Sequence, residues 1–374
     1  MTENKKIGLK DAISIGIGGM VGGGIFAVLG LAVSLAKGGT PIAFAFAGLI
    51  ALITAYSYAK LSSKYPKDGG TVEFVNIQFG KGIFSGGINN LLWLSYIVML
   101  ALYASAFGSY GSELFSLTAT KNIDSHIYQT SILLFALIIN YLSVKLVGRI
   151  ESVAVVIKLL ILIAFIGVGF YGLYNNPENL SQLSPENWEN PFLLLSGGMV
   201  IFVAYEGFEL IANSVSDLKD REKNTKKAYF GAVGFVIILY ILIAIVTVGA
   251  LQFDQIAEAQ DYVLAKAAEP TLGQLGFTTI TITALISTFS AINATVLGSG
   301  RVNYDIAEDE ELPKYFTHIL WGKPIGYAVT AVFSILLVNF FNLQSISTAG
   351  SSGFLLIFGI VNYIAFKRYQ ELDS

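Results

Sequence analysis

Long apolar runs separated by short polar connectors dominate the chain. About 20 apolar residues in a helix cross a bilayer. That rule divides the sequence into ten predicted spans, at about residues 11–36, 41–63, 83–111, 127–146, 150–174, 193–215, 228–251, 274–300, 324–341 and 344–366. The connector from Asp254 to Glu269 reads as a short surface helix. All prolines fall in connectors or at span starts; Pro41 and Pro324 open the second and ninth spans, where a missing N–H is tolerated. Helix breaks therefore fall to glycine.

The first span contains GIGGMVGGGIF, with Gly16, Gly18, Gly19, Gly22, Gly23 and Gly24. Each interior glycine costs a helix about 1 kcal/mol relative to alanine. Backbone opened at bilayer depth is tolerated only where it lines a cavity or is buried in protein. Close helix packing through Gly18-x-x-x-Gly22 or Gly19-x-x-x-Gly23 needs two of these residues, not six. The run predicts a broken helix that presents bare N–H and C=O groups to a solute, as in a transporter.

The sixth span reads PFLLLSGGMVIFVAYEGFELIANSVSDL, with Glu206, Gly207 and Glu209 near mid-depth. Each carboxyl costs roughly 2.5–3.5 kcal/mol in hydrocarbon, so both must face protein or water. Spans one and six each begin a group of five, and an odd number gives the two groups opposite topology. Interrupted segments at matching positions of two such halves point to a solute site at the midplane. The chain reads as one transmembrane domain over 1–374, with halves 1–175 and 190–366.

Composition agrees: 54% of the 374 residues are hydrophobic and 13% charged, against about 25% charged in a soluble domain. Of the 23 Lys and Arg, all but Lys37, Lys121, Lys266 and Lys158 fall in connectors on one side or at the two ends. The positive-inside rule then places both termini in the cytoplasm, in a multi-pass cytoplasmic (inner) membrane protein. The polar Met1–Lys10 predicts no cleavable signal. Cys is absent and the two His, His126 and His318, fall in predicted connectors, so no disulfide and no metal centre is expected. The net charge of −3 belongs to connectors and implies no nucleic acid. The glycine run has no strand before it, so it is not a dinucleotide fingerprint.

Lys158 sits in VAVVIKLLILIAF, about 12 Å of helix rise from Ile150. It either snorkels toward the near interface or stays in a dry site as a titratable amine, because burial penalises the charged form.

GGMVGGGIF in span one, AYEGFE in span six, PKDGGTVEFVNIQFG after span two and SGRVNYDIAEDEELPKYF after span eight occur in an order that resembles the amino acid–polyamine–organocation (APC) superfamily, most of all its archaeal proton-coupled amino acid transporters. The resemblance covers essentially the whole chain. It implies an all-α polytopic membrane protein with the LeuT-type five-plus-five inverted repeat, unwound at mid-span in helices 1 and 6. The implied function is proton-coupled amino acid symport into the cytoplasm by alternating access, not an enzyme activity. Amino acid exchange, a polyamine or cationic amino acid permease, and an amino-acid receptor on the same fold remain alternatives. The implied partners are a small amino acid and the bilayer, with no cofactor, a proton as the coupling ion and no sodium; the sequence does not give the oligomeric state. Two features depart from the family: it usually has twelve helices, and Glu206 stands where relatives usually carry an apolar residue.

On this resemblance the N–H groups of Gly22, Gly23 and Gly24 hold the substrate carboxylate, at the positive end of a half-helix. Carbonyls around Met20, Phe202 and Tyr205 hold the ammonium, and Phe202 gates. Lys158 takes the place of a coupling sodium, beside the backbone at Gly18 and the hydroxyls of Ser287 and Ser290. Glu209 holds the breaks in register or transfers protons. Glu206 is a charge partner, a proton site or a pathway residue. Tyr96 and Tyr103 line the opposite wall or simply pack.

Overall fold

The computed structural model describes residues 7–66, 70–142 and 144–372, without the side chains of 144–152. Lys5, Lys6, Lys67, Lys145 and Arg149, counted above as inner cations, lie outside the described residues or side chains. Among the described residues the regular elements are helices apart from a hairpin of two-residue strands, β1 (Ile319–Leu320) with β2 (Lys323–Pro324).

The first span is two helices, α1 (Leu9–Met20) and α2 (Gly24–Ala36), bent by 50° across a three-residue break. Then follow α3 (Thr40–Lys64), α4 (Gly70–Phe79), α5 (Ile83–Leu114), α6 (Lys121–Leu142) and α7 (Val144–Asn175). The sixth span is α8 (Pro191–Val200) followed by 3-10 turns at Phe202–Tyr205 and Phe208–Asp217, bent by 47°. The remainder is α9 (Arg221–Ala250), α10 (Phe253–Glu258), α11 (Val263–Glu308), α12 (Gly326–Phe340), α13 (Leu343–Lys367) and α14 (Tyr369–Leu372).

Among the described residues seven single helices and the two bent pairs are long and apolar enough to cross a bilayer. The ninth expected span, α12, has 15 residues, a rise of about 22 Å against a hydrocarbon core of about 30 Å.

Several expectations need correction. PKDGGTVEFVNIQFG is not a bare connector: α4 forms within it. Helices α6 and α9 begin six or seven residues before their apolar runs, because a helix continues on backbone hydrogen bonds after its side chains turn polar. His126 consequently lies in α6, with Nδ1 2.9 Å from Asn339 Oδ1. Pro270 lies inside α11, three residues before Gly273, whose φ of 59° and ψ of −151° break the helix there. The expected surface helix over 254–269 is α10 plus the first turns of α11, where Val263, Leu264 and Ala265 are buried. Pro324 belongs to the hairpin, two residues before α12. Pro41 stands in the first turn of α3, as expected.

Small residues decide the packing. Along α3, Ala43, Ala47, Ala51, Ala55 and Ala59 recur every four residues and all are buried, a small-residue stripe that permits close packing; α3 packs on α9, α13 and α8. α5 runs through the middle of the molecule, packing on α6, α11, α12 and α13. Both described chain ends lie at one face. There Ile7 pairs with Leu218, and Arg368 donates to Gln78 Oε1, Ile77 O and Tyr65 Oη. At the same face Asn76 Nδ2 donates to Asp309 Oδ2 at 2.8 Å and Asn89 Nδ2 to Glu311 Oε2 at 2.7 Å, docking α4 and α5 on the end of α11.

Candidate functional site

The two helix breaks cross at a pair of glycines. A Cβ on Gly19 would lie 2.6 Å from Gly207 O, and one on Gly207 would lie 2.4 Å from Gly19 C. Gly207 also adopts φ +118°, a left-handed turn that glycine makes without strain. Contact this close is open only to residues without side chains, which accounts for two of the glycines at the breaks.

Each break releases backbone groups, and identifiable side chains take them up. Lys158 on α7 is 1% exposed, and its Nζ donates to Gly18 O at 3.1 Å. The lysine is therefore buried and turned to the break, not snorkelled. Ser287 Oγ on α11 lies 2.7 Å from Gly22 O and 3.3 Å from Val21 O. Tyr240 Oη on α9 lies 2.7 Å from Met20 O and 3.1 Å from Ala204 O, so one hydroxyl joins both breaks. In the sixth span Ser351 Oγ donates to Val200 O at 2.6 Å and accepts from Val203 N at 3.0 Å, while Ser347 Oγ donates to Val200 O at 2.9 Å. The N–H groups of Gly22 and Gly23 have no backbone acceptor among the described residues, and Gly24 begins α2, where the first N–H groups lack partners inside the helix.

Glu206 and Glu209 are each 5% exposed. Tyr103 Oη donates to Glu206 Oε2 at 3.2 Å. Glu209 Oε2 accepts from Gly207 N at 2.8 Å, and Oε1 is buried with no hydrogen-bond partner among the described residues.

A cavity of about 20 Å³, room for about one water, lies at the crossing. It brings together Gly18, Gly19, Tyr96, Tyr103, Glu206, Gly207 and Ser290. Leu210, Ala294, Thr295 and Gly298 complete its lining, on the side nearer the face that carries the chain ends. Lys158, Glu209 and Ser287 stand just outside it, each bonded to backbone at a break. Met20, Gly22, Gly23, Gly24, Phe202 and Tyr205 do not line it. The Tyr103 ring fills the space before Gly23, where a Cβ would come within 2.3 Å of Cδ1. Tyr205 Oη donates to Phe44 O at 2.9 Å, and the Phe202 ring packs on Phe358 with centroids 5.9 Å apart.

Closure is tighter toward the other face. A Cβ on Gly24 would lie 2.9 Å from Ala204 Cα, and one on Gly30 would lie 2.0 Å from Gln260 O. The crossing thus keeps a narrow cavity on the chain-end side and is closed by backbone contact on the opposite side.

Tyr240, Ser347 and Ser351 were missed from the sequence. The signal for Tyr240 was a single tyrosine in FVIILYILIAIV, since a buried phenol hydroxyl finds a partner. Nothing in the sequence said that the partner would be a helix break.

A profile of the family described as amino acid permease matches residues 7–371. An uncharacterised protein of Methanocaldococcus jannaschii is 33% identical over 373 residues, covering 100% of this chain and 84% of its own length. The inner membrane transport protein YbaT of Escherichia coli K12 is 33% identical over 372 residues, 99% of this chain and 85% of that protein. The branched-chain amino acid permease BcaP of Lactococcus lactis is 25% identical over 395 residues, 99% and 83% respectively.

Proposed function

Because the chain belongs to the amino acid permease family of the APC superfamily, and is a membrane transporter rather than an enzyme, we propose that it carries a small amino acid into the cytoplasm together with a proton. The observation that carries this reading is the Lys158 amine at 3.1 Å from Gly18 O, inside the first break. A protonated amine there supplies the positive charge that holds the released carbonyl, and it repels a sodium ion at the same place. Loss of the proton on the inner side loosens that contact as the solute leaves.

The substrate carboxylate binds the N–H groups of Gly22, Gly23 and Gly24, and its ammonium binds carbonyls around Met20, Phe202 and Tyr205. Binding requires the Tyr103 ring to withdraw from Gly23. Both termini are cytoplasmic, and the cavity leads toward that side. Alternating access moves α1, α2, α3, α8 and α9 against α5, α6, α11 and α12.

An inverted repeat of 1–175 and 190–366 is supported by where the polar contacts recur. The fifth span reaches the first (Lys158 to Gly18 O) and the tenth reaches the sixth (Ser351 to Val200 O). The eighth reaches the first (Ser287 to Gly22 O) and the third reaches the sixth (Tyr103 to Glu206).

One proton crossing one pH unit supplies about 1.36 kcal/mol, and a 100 mV potential adds about 2.3 kcal/mol. Together they sustain a solute gradient of roughly 400-fold at 1.4 kcal/mol per decade, so a single titrating amine suffices. A second reading, a cationic substrate, draws on Glu206, whose carboxyl lines the cavity.

Alanine uptake into proteoliposomes under a pH gradient or a sodium gradient tests the proposal. Accumulation on the pH gradient alone is expected. Sodium-driven uptake contradicts it. Flux only against preloaded amino acid identifies an exchanger, and binding without flux a receptor. Stronger competition by lysine, arginine or putrescine than by unlabelled alanine selects the cationic reading.

A further inference from the structure

Helices α3 and α9 run antiparallel and touch along their length. Gly48 lies against Ile237, the Tyr56 and Phe230 rings have centroids 6.5 Å apart, and Ser62 Oγ is 3.2 Å from Tyr229 Oη. That register sets Lys60 level with Lys226 and Lys227, and Lys64 level with Lys223, one and two turns beyond the aromatic pair.

One stripe on α3, with residues three or four apart, changes character in order. Leu49 and Ile53 are more than half exposed, Tyr56 follows at 44%, and then come Lys60 and Lys64. The stripe covers about 22 Å of rise, passing from acyl-chain depth to head-group depth. On α9 the same order runs in the opposite chain direction, from the exposed Ile238 through Phe230 to Lys226, Lys227 and Lys223.

The general bias toward inner cations asks only that lysines occupy connectors. Here two helix ends far apart in sequence place five amines on one two-helix face. Lys60 Nζ sits 5.9 Å from the centroid of the Tyr56 ring, so this amine turns back toward the membrane. Lys64, Lys223, Lys226 and Lys227 are exposed, and none is in an ion pair among the described residues. Asp220 and Glu222 stand at the start of α9 and Glu371 accepts from Tyr65 beside Lys64, and the five amines outnumber these acids.

We propose that this face binds the phosphodiester head group of an anionic membrane lipid. The lysines hold the phosphate, Tyr56 and Phe230 flank the glycerol level, and the acyl chains lie along Leu49, Ile53 and Ile238. Amines that meet phosphate at the membrane surface, between two helices, bind far more strongly when acyl chains fix the head group beside them. The site is independent of the substrate and of the coupling ion.

The test is native mass spectrometry of the purified protein in neutral detergent, titrated with phosphatidylglycerol or with phosphatidylcholine of the same chains. The protein is expected to retain phosphatidylglycerol in preference. Replacing Lys64, Lys223, Lys226 and Lys227 together by Gln is expected to lower that affinity about a hundredfold or more, with phosphatidylcholine binding and thermal unfolding unchanged. The corresponding four-fold Lys→Arg variant keeps the charge and is expected to keep the lipid. Equal retention of both lipids, unaltered phosphatidylglycerol binding in the Gln variant, or loss of binding in the Arg variant overturns the proposal. So does displacement of the lipid by millimolar glycerol phosphate, which would show a free-phosphate site.

Discussion

A lysine amine and a tyrosine hydroxyl hold the first break at neighbouring carbonyls, Gly18 O and Met20 O. Lys158 was legible in the sequence because a lone charge in an apolar run has to be explained. Tyr240 was not, since tyrosine is common in membrane helices and most of its instances only pack. Its hydroxyl is the donor in reach of both Met20 O and Ala204 O. Tyr240→Phe keeps the ring contacts and leaves those carbonyls short of a donor, at about 1–3 kcal/mol. Thermal unfolding in detergent is expected at a lower temperature than wild type, with a raised KM for alanine; unchanged values of both would refute the role. Glu209 allows a similar separation. Glu209→Gln keeps an oxygen for the Gly207 N–H and is expected to unfold near the wild-type temperature. Glu209→Ala leaves that N–H without its acceptor and is expected to lose about 1–3 kcal/mol. Equal stability of the two variants would show that the contact holds nothing.

At the scale of elements, clustered glycine announced the first break, because its cost in a helix is intrinsic to the residue, and two carboxyls around Gly207 announced the second. The distribution of purposes among the glycines was not legible. Gly19 and Gly207 serve the crossing, whereas Gly30, which no sequence motif marked, lets α2 close on Gln260. Gly30→Ala places a methyl group against backbone oxygen that has no side chain to move aside. It is expected to push α2 away from Gln260 and to lower the thermal unfolding temperature in detergent, and an unchanged temperature would contradict this. Gly207→Ala meets both a left-handed φ and the Gly19 backbone, and the expected outcome is loss of folded protein in size-exclusion chromatography. Helix α4 escaped the sequence reading because ten residues are too few to register as a span, and their helicity is fixed by docking on α5 and α13.

At the scale of the molecule, apolar runs were enough to give an all-helical polytopic protein and the approximate positions of its long helices. They fixed the ends of those spans less well, since helices α6, α9 and α11 continue into polar sequence. Hydropathy also could not foretell which face the cavity would approach, which depends on how two bent helices lean on α5 and α11. The cavity at the crossing has room for little more than water, and backbone contact closes the side opposite the chain ends.

The most direct test of this account compares wild type with Lys158→Ala in proteoliposomes, measuring alanine accumulation under an imposed inward proton gradient and alanine binding to the detergent-purified protein. The account predicts that wild type concentrates alanine more strongly as the external pH is lowered at fixed internal pH. It predicts that the variant still binds alanine but only equilibrates it at every external pH. Concentration of alanine by Lys158→Ala under the proton gradient would contradict the assignment of coupling to this amine.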